Sequence, residues 1–252
     1  MAHIPRHDEI IRILSHLRSV SVQELTQRLG VSEVTIRKDL SFLEEMGSLL
    51  RTRGGAKLAE DQAQLRTIQI RREENLAAKE CIAATARAFV SEDDTIYVDS
   101  GSTCLLLARL LTHMNLRIVT DSLDVMNATA DAPGISLISV GGSYRKDAGS
   151  FIGPLALETL KGVQIQTCFI GTTGLSATGI FSCQNIIEAE LKARVLRVCK
   201  RRIVLADRSK FGKDAFAVFA RAADVDILVT DSPVDTMRSL TDLGIEVIVA
   251  GT

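Results

Sequence analysis

The 252-residue chain has 46% hydrophobic and 24% charged residues, which excludes a lone small module and a largely disordered polypeptide. Trp is absent and aromatics make up 4%, which argues against a single-strand nucleic-acid binder that works by stacking bases on aromatic rings. The formal net charge of −1 hides any local basic face and so decides nothing about partners.

Five cysteines, at 81, 104, 168, 183 and 199, are scattered without close pairs. Neither a disulfide framework nor a paired-cysteine zinc site is expected, and the compartment reads as reducing. Charges appear within the first eight residues, and no later segment approaches the roughly 18 uninterrupted apolar residues of a membrane span. The expectation is a cytoplasmic protein with no membrane contact, no metal and no cofactor.

In chain order, Ile10, Ile13, Leu14 and Leu17 give a first amphipathic helix, broken at Ser19–Ser21. Ser21 can cap a second helix that reaches Leu29, Gly30 supplies a tight turn, and Ser32 can cap a third helix for which Gly47 is a natural stop. Two short helices joined through such a turn form the helix-turn-helix pattern. At about 100° per residue, Ile36, Leu40 and Leu43 fall on one stripe of the third helix, while Val34, Arg37, Lys38 and Ser41 point the other way. Arginine and lysine on such a face suit a major-groove reader, since Arg bonds guanine bidentately and either holds a phosphate. The stretch after Gly47 reads as two short strands around Gly54–Gly55, with Arg51 and Arg53 alternating on one side as a wing. The predicted DNA-contacting set is Ser32, Val34, Thr35, Arg37, Lys38, Ser41, Arg51 and Arg53. Up to Lys57 there are nine Lys/Arg against seven acids, a mildly positive balance. Arg12 and Arg18 read as surface charges, and His3, His7 and His16 as exposed residues without metal spacing.

The polar segment Ala59–Asn75 reads as a linker, which gives a DNA-binding module over 1–58, a linker over 59–78 and a second domain over 79–252. There, apolar runs at Thr95–Val98, Ile118–Val119, Ile135–Val140, Cys168–Ile170, Ile203–Ala206, Ile227–Val229 and Glu246–Ala250 are mostly separated by helix-length stretches. Alternating strands and helices predict an α/β domain with a mainly parallel sheet covered on both faces. Ligands of such sheets bind at the C-terminal ends of strands. Asp99 stands at one such end, and the small-residue turn Ser100, Gly101, Ser102, Thr103 leads into a helix whose N-terminal N–H groups suit a phosphate. By itself that turn fits a plain strand-to-helix connection equally well. Thr120, Asp121, Gly141, Gly142, Gly171, Thr172 and Asp207 terminate other runs and converge on the same edge, where Arg145 and Lys210 can bring cations. The competing readings are ordinary turn chemistry for the glycines and a surface salt bridge for Lys210. Glu190 and Lys192 lie on a helix where a solvated, ion-paired face explains them as well as a site does.

The stretch Val31–Ala56, with its TIRKDL core and terminal RGGA, closely resembles the signature of the DeoR family of bacterial sugar-metabolism repressors. VDSGST from Val98, TDSL from Thr120, VGGSYR from Val140, FIGTTGL from Phe169, LADRSKFG from Leu205 and VTDS from Val229 follow that family's order. One departure is Asp121, where the family commonly carries Asn. The resemblance implies a winged helix-turn-helix fused to an α/β domain resembling sugar-phosphate isomerases, which senses a phosphorylated sugar or sugar alcohol. The partners expected are double-stranded operator DNA, that effector, and further copies of the chain as a dimer or tetramer. An isomerase-like enzyme is the alternative: Asp99, Asp121, Glu188 and Asp207 offer carboxylates, but no paired spacing singles out a base. FIGTTGL is uncharged, and His113 reads as helical and far from the strand ends, so sensing without turnover is the stronger reading. A dinucleotide-responsive regulator lacks the glycine fingerprint after a strand.

Overall fold

The computed structural model describes residues 5–17, 19–45, 49–58, 71–233 and 237–251. The chain divides into two compact units, Met1–Arg71 and Arg72–Thr252.

The first unit runs α1 (Pro5–Leu17), β1 (Ser19–Ser21), α2 (Val22–Leu29), α3 (Glu33–Glu45), β2 (Leu49–Thr52) and β3 (Gly55–Leu58). Its helix ends follow local chemistry. Ser21 Oγ accepts the Glu24 amide at 3.1 Å, Ser32 Oγ accepts that of Thr35 at 3.3 Å, and Gly30 closes α2 in the left-handed region. Ile10, Leu14, Leu25, Ile36, Leu40 and Leu49 are buried together. At about 1.5–3 kcal/mol for each large apolar side chain, this small core is what holds three short helices to the hairpin.

Ser19–Ser21, expected to be only a break between helices, is a strand that pairs antiparallel with β3, so the sheet runs β1-β3-β2. Val20 is buried between two exposed serines, an alternation too short to stand out in the sequence. The close approach explains Gly55, where any side chain would collide with the Val20 carbonyl. His7, expected to be exposed, is instead half-buried: its Nε2 lies 2.9 Å from Asp39 Oδ1 and its ring stacks on Phe42 at 5.0 Å. Arg6 also donates to Asp39, at 2.6 and 3.0 Å, tying α1 to α3. Burial alone would push the Asp39 carboxyl up, but the hydrogen bonds from Arg6 and His7 prevail and hold it below its usual range. Gly47, the predicted helix stop, lies outside the described residues, as do Arg18 and His3.

The second unit begins upstream of the expected boundary at residue 79. Helix α4 spans Leu76–Arg87, Arg72 pairs with Asp124, and Asn75 Nδ2 donates to Asp207 Oδ1 at 3.2 Å. Polar residues that read as linker thus find partners in the sensor unit; residues 59–70 are outside the described set. The seven predicted apolar runs are the seven strands of one parallel sheet: β4 (Thr95–Val98), β5 (Leu116–Thr120), β6 (Ile135–Ser139), β9 (Ile165–Gly171), β12 (Cys199–Leu205), β14 (Ile227–Thr230) and β15 (Glu246–Val249). Their spatial order is β15-β14-β12-β9-β4-β5-β6. The chain builds outward from β4 in one direction and from β9 in the other, so the topological switch point lies between those two strands.

Strand alternation sorts the core. Ile96, Val98, Phe169, Ile203, Leu205 and Val229 face α4, α5 (Ser102–Leu110) and α6 (Leu123–Thr129). Tyr97, Cys168, Ile170, Val204 and Leu228 face α7 (Pro154–Thr159) and α8 (Ile186–Val198). Both faces are covered, which is why the strands read as continuous apolar runs. The hairpin β7 (Ser143–Arg145) and β8 (Ser150–Ile152), and a small antiparallel sheet of β10 (Gly174–Leu175), β11 (Ile180–Cys183) and β13 (Ala217–Arg221), were not anticipated; each strand is too short for a periodic signal. His113 is not helical as expected: it lies in the exposed turn before β5, 3.0 Å from Arg87. Among the described residues no helix is long and apolar enough to cross a membrane.

Candidate functional site

On α3 the inward stripe of Ile36, Leu40 and Leu43 is buried, which leaves Val34, Arg37, Lys38 and Phe42 on the outer face, with Val34 64% exposed. Phe42 was not anticipated there; its position four residues beyond Lys38 is the signal that could have found it. Arg37 holds Glu33 at 3.0 Å one turn back, and among the described residues Lys38 has no ion-pair partner. Thr35 hydrogen-bonds the capping Ser32 at 2.9 Å and so belongs to the helix start. The two wing arginines differ in their contacts. Arg51 Nη1 donates to Ser41 Oγ at 2.9 Å and its amide to Glu44 at 2.9 Å, so this arginine lies against α3. Arg53 stands exposed in the turn.

In the sensor unit the switch point holds a buried ion pair. Asp99, at the end of β4, accepts from Lys192 Nζ at 2.5 Å and from the Gly171 amide, at the end of β9, at 2.9 Å. Lys192 also donates to the Gly171 carbonyl at 2.9 Å, lies 3.6 Å from Glu188 and sits over the Phe219 ring. Asp99 is 1% exposed and Lys192 4%. The solvated-face reading of Lys192 is therefore wrong, whereas Glu190 on the same helix is exposed. Burial works against the ammonium, but Asp99 and Glu188 outweigh it and hold its pKa above the usual range. The missed signal is the i, i+4 spacing of Glu188 and Lys192 on α8, with Lys192 on the same side of the helix as the buried Ala189 and Val195.

Asp121, at the end of β5, is the second buried carboxyl, 1% exposed, with Tyr97 Oη donating to it at 2.9 Å. Burial, reinforced by the charge of Asp99 and opposed by Lys192 and the tyrosine, pushes its pKa up to about 7. Tyr97 was not foreseen, because a strand tyrosine in an apolar run reads as core.

The other predicted residues divide. Gly101 comes close to Gly171, so that a methyl group on it would stand 3.6 Å from Gly171 Cα, and Ser102 opens α5 with no side-chain cap on its N–H groups. Ser100 is half-buried beside them and Thr103 is buried in the first turn. Thr120 Oγ1 donates to the Val98 carbonyl at 2.6 Å, and Thr172 Oγ1 contacts the Gly174 and Ser182 carbonyls at 2.8 and 3.0 Å, so both hydroxyls serve the fold. Gly142, at φ +109°, leaves only 2.5 Å between a would-be Cβ and the Ile152 carbonyl, and Gly141 precedes it at φ +69°; turn geometry explains the pair. Arg145 clamps Asp147 with two bonds and Glu188 at 2.9 Å, so its guanidinium is engaged inside the unit. Asp207 caps a short turn through Oδ1, while its buried Oδ2 has no hydrogen-bond partner and lies 3.8 Å from Lys210 Nζ.

Residues 6–62 match the DeoR-like helix-turn-helix domain, and residues 74–232 match the DeoR C terminal sensor domain. The transcriptional repressor AccR of Agrobacterium fabrum is 32% identical over 234 residues, covering 92% of this chain and 91% of its own. The L-fucose operon activator of Escherichia coli is 30% identical over 228 residues, with coverage of 90% and 94%. Ribose 5-phosphate isomerase A of Methanocaldococcus jannaschii aligns with 55% of each chain at 17% identity and a TM-score of 0.42. The domain matches and the full-length relatives are those of regulators, so the isomerase alternative gives way. The chain belongs to the DeoR family of DNA-binding transcriptional regulators, with a helix-turn-helix reader joined to a C-terminal sensor domain.

Proposed function

We propose that the protein is a homo-oligomeric repressor of a carbohydrate-utilisation operon, released from its operator by a phosphorylated sugar or sugar alcohol. Two copies of α3, presenting Val34, Arg37, Lys38 and Ser41, read half-sites about one helical turn apart in a pseudo-palindrome, with Arg51 and Arg53 near the backbone. The effector phosphate lies on the uncapped N–H groups of α5, at Ser100–Thr103, where the helix dipole favours an anion. Its hydroxyls meet Asp99, Asp121 and Asp207, with Lys210 closing the edge; Gly171 gives the close approach.

The observation that carries this reading is the Asp99–Lys192 pair, buried at the switch point where open parallel sheets bind ligands. A charged pair held out of water offers directional contacts to a polar ligand without further reorganisation. Release requires the effector to favour the arrangement that binds DNA poorly, and coupling of about 1–3 kcal/mol gives a 5- to 150-fold loss of operator affinity.

The test starts from an operator selected by the purified full chain out of random duplexes. Sugar phosphates and polyol phosphates are then screened by thermal shift, where ligand at a hundredfold its dissociation constant stabilises by about 2.7 kcal/mol. The hit lowers operator affinity in anisotropy titrations and is recovered unchanged after hours; its dephosphorylated form does neither. Lys210→Ala needs more effector for the same release. A reporter behind the operator is silenced by the protein and restored by the effector, and activation in its place reverses the sign of the reading.

A further inference from the structure

The outer face of α3 is built from cations and hydroxyls, with one exception in its first turns. Among residues 33–38, Val34 is the apolar side chain left in water, 64% exposed. A single exposed valine is ordinary on a surface. Its place here is not, because it is the second residue of the helix, where an acidic or small polar side chain would suit both the helix dipole and water. A β-branched side chain also lowers helix propensity, so nothing local to α3 favours it. A residue that breaks local rules without a gain in packing marks function rather than fold. Val34 lines a shallow depression of about 410 Å³ together with Arg37, Lys38, Ser41 and Phe42. Arg37, Lys38 and Ser41 can hydrogen-bond base edges and phosphates, whereas Val34 and Phe42 offer apolar contact alone. Phe42 stacks on His7 and stands eight residues on, about 12 Å along the axis, beyond the N-terminal turns by which a recognition helix reaches base edges. Val34 lies within those turns.

We infer that Val34 reads the C5-methyl group of a thymine in the operator, within about two base pairs of the base that Arg37 contacts. The methyl group is the feature of the major groove that no hydrogen bond can recognise, so Arg37, Lys38 and Ser41 are blind to it and an apolar side chain is not. Both partners leave water on contact, and burial alone favours the pair. Valine suits the task. On a helix its χ1 angle is held to one rotamer, so its two methyl groups are fixed before DNA arrives and little side-chain freedom is lost on binding. Val34 and Arg37 are three residues apart, which sets their Cβ atoms about 5–6 Å from each other, and base pairs rise by about 3.4 Å. That spacing places the thymine near the base under Arg37. Lys38, four residues after Val34, brings a cation to the same stripe, so the apolar contact sits in a surface that draws phosphates close. This inference rests on the operator-binding reading of α3 and adds a base identity to it.

The test uses the full chain and the duplex it selects from random sequence. Deoxyuridine replaces thymidine one position at a time in each half-site, which removes a methyl group and leaves every hydrogen-bonding edge in place. At one position per half-site the wild type is expected to lose about fourfold in affinity, the worth of one methyl group kept in water. Val34→Ala binds the unmodified duplex about fourfold more weakly and distinguishes uracil from thymine at that position by less than about 1.5-fold, the mark of a coupled pair in a double-mutant cycle. Alanine is the better helix former, and circular dichroism confirms that the variant folds. Lys38→Ala lowers affinity for both duplexes alike and keeps the discrimination. A selected duplex in which no uracil weakens binding, or a uracil effect that survives Val34→Ala, overturns the inference and leaves α3 as the reader. Discrimination lost equally in Lys38→Ala also overturns it, because the docking of the whole helix would then carry the effect. A full chain that selects no duplex refutes the regulator reading, and the inference falls with it.

Discussion

The two units of this chain use charge in opposite ways. In the reader, Arg37, Lys38 and Arg53 lie in water, held by nothing stronger than an exposed pair with Glu33. In the sensor, Asp99 and Lys192 are buried and fastened to each other and to the Gly171 backbone, and the buried Asp121 is held by Tyr97. DNA brings its own dense charge and releases counterions as it binds, so hydrated cations on a rigid helix suffice. A sugar phosphate makes few contacts, and each must be oriented beforehand to be worth much. The difference teaches that the reader's functional charges are separable from its fold, whereas the sensor's are part of what holds the fold together.

The sharpest way to break that contrast is to remove one member of the buried pair. Lys192→Met leaves Asp99 charged, buried and uncompensated, and is expected to cost about 3–5 kcal/mol in urea unfolding of the sensor unit. Asp99→Asn/Lys192→Met removes both charges and should recover more than half of that loss. Arg37→Ala, by comparison, stays within about 0.5 kcal/mol of wild-type stability. Equal, small losses for Lys192→Met and Arg37→Ala would mean that the sensor pair is hydrated in solution and that the contrast is false.

Two buried aspartates carry the comparison into pH. Asp121 has its folded pKa raised to about 7, against an unfolded value near 3.9. The folded state therefore holds this proton more tightly, and the resulting stability is full below about pH 4 and lost as pH rises through about 7. Asp39 in the reader has the opposite sign: its folded pKa is lowered, so its contribution is present above the unfolded pKa and lost as pH falls through the folded one. Asp121→Asn, which still accepts from Tyr97, should remove the sensor's loss of melting temperature between pH 5 and pH 8. Asp39→Asn should lower the reader's stability by about 1–3 kcal/mol at pH 7 and matter little at pH 3. Parallel melting curves for wild type and Asp121→Asn across pH 5–8 would show that Asp121 is already ionised at the low end.

What could be read without coordinates follows the same division. The reader was legible because helical periodicity separates Ile36, Leu40 and Leu43 from Val34, Arg37 and Lys38, and because caps such as Ser21 and Ser32 act within three residues. All seven parallel strands showed as apolar runs, since burial on both faces removes any alternation. Lys192 was opaque because its partner Asp99 is 93 positions away, and only packing decides whether a helical lysine faces water or a carboxylate. Tyr97 and His7 were missed for the same reason: a hydrogen bond to Asp121 or Asp39 is a tertiary fact. Thr120, Thr172 and Arg145 were read at the right edge, yet their polar atoms are engaged by the fold, which a list of strand ends cannot reveal.

On the DNA side, Arg37→Ala is expected to weaken binding to the selected operator by about 1–3 kcal/mol and to relax specificity at one base position. Lys38→Ala should lower affinity more evenly between operator and scrambled duplex and flatten the salt dependence, the behaviour of a phosphate contact. Anisotropy titrations at several salt concentrations on both duplexes distinguish the two. Unchanged affinity for both variants would remove α3 as the reading element.

The smallest expected effect concerns the wing, and it tests whether charge in the reader is as independent of the fold as the comparison claims. Arg51 is the exception there, because its guanidinium rests on Ser41 and its amide on Glu44, both on α3. If it stays docked when DNA binds, its work is to brace the hairpin against the helix. Arg51→Ala should then cost roughly 0.5–1 kcal/mol of reader stability, the scale of one exposed hydrogen bond, and leave the slope of affinity against salt unchanged. Arg53, exposed at the hairpin turn, should behave in reverse: Arg53→Ala keeps stability and lowers the salt slope by about 0.9, the value for one phosphate contact. A lowered slope for Arg51→Ala with unchanged stability would mean that Arg51 leaves Ser41 to grip the backbone, and every functional cation of the reader would then be free of its fold.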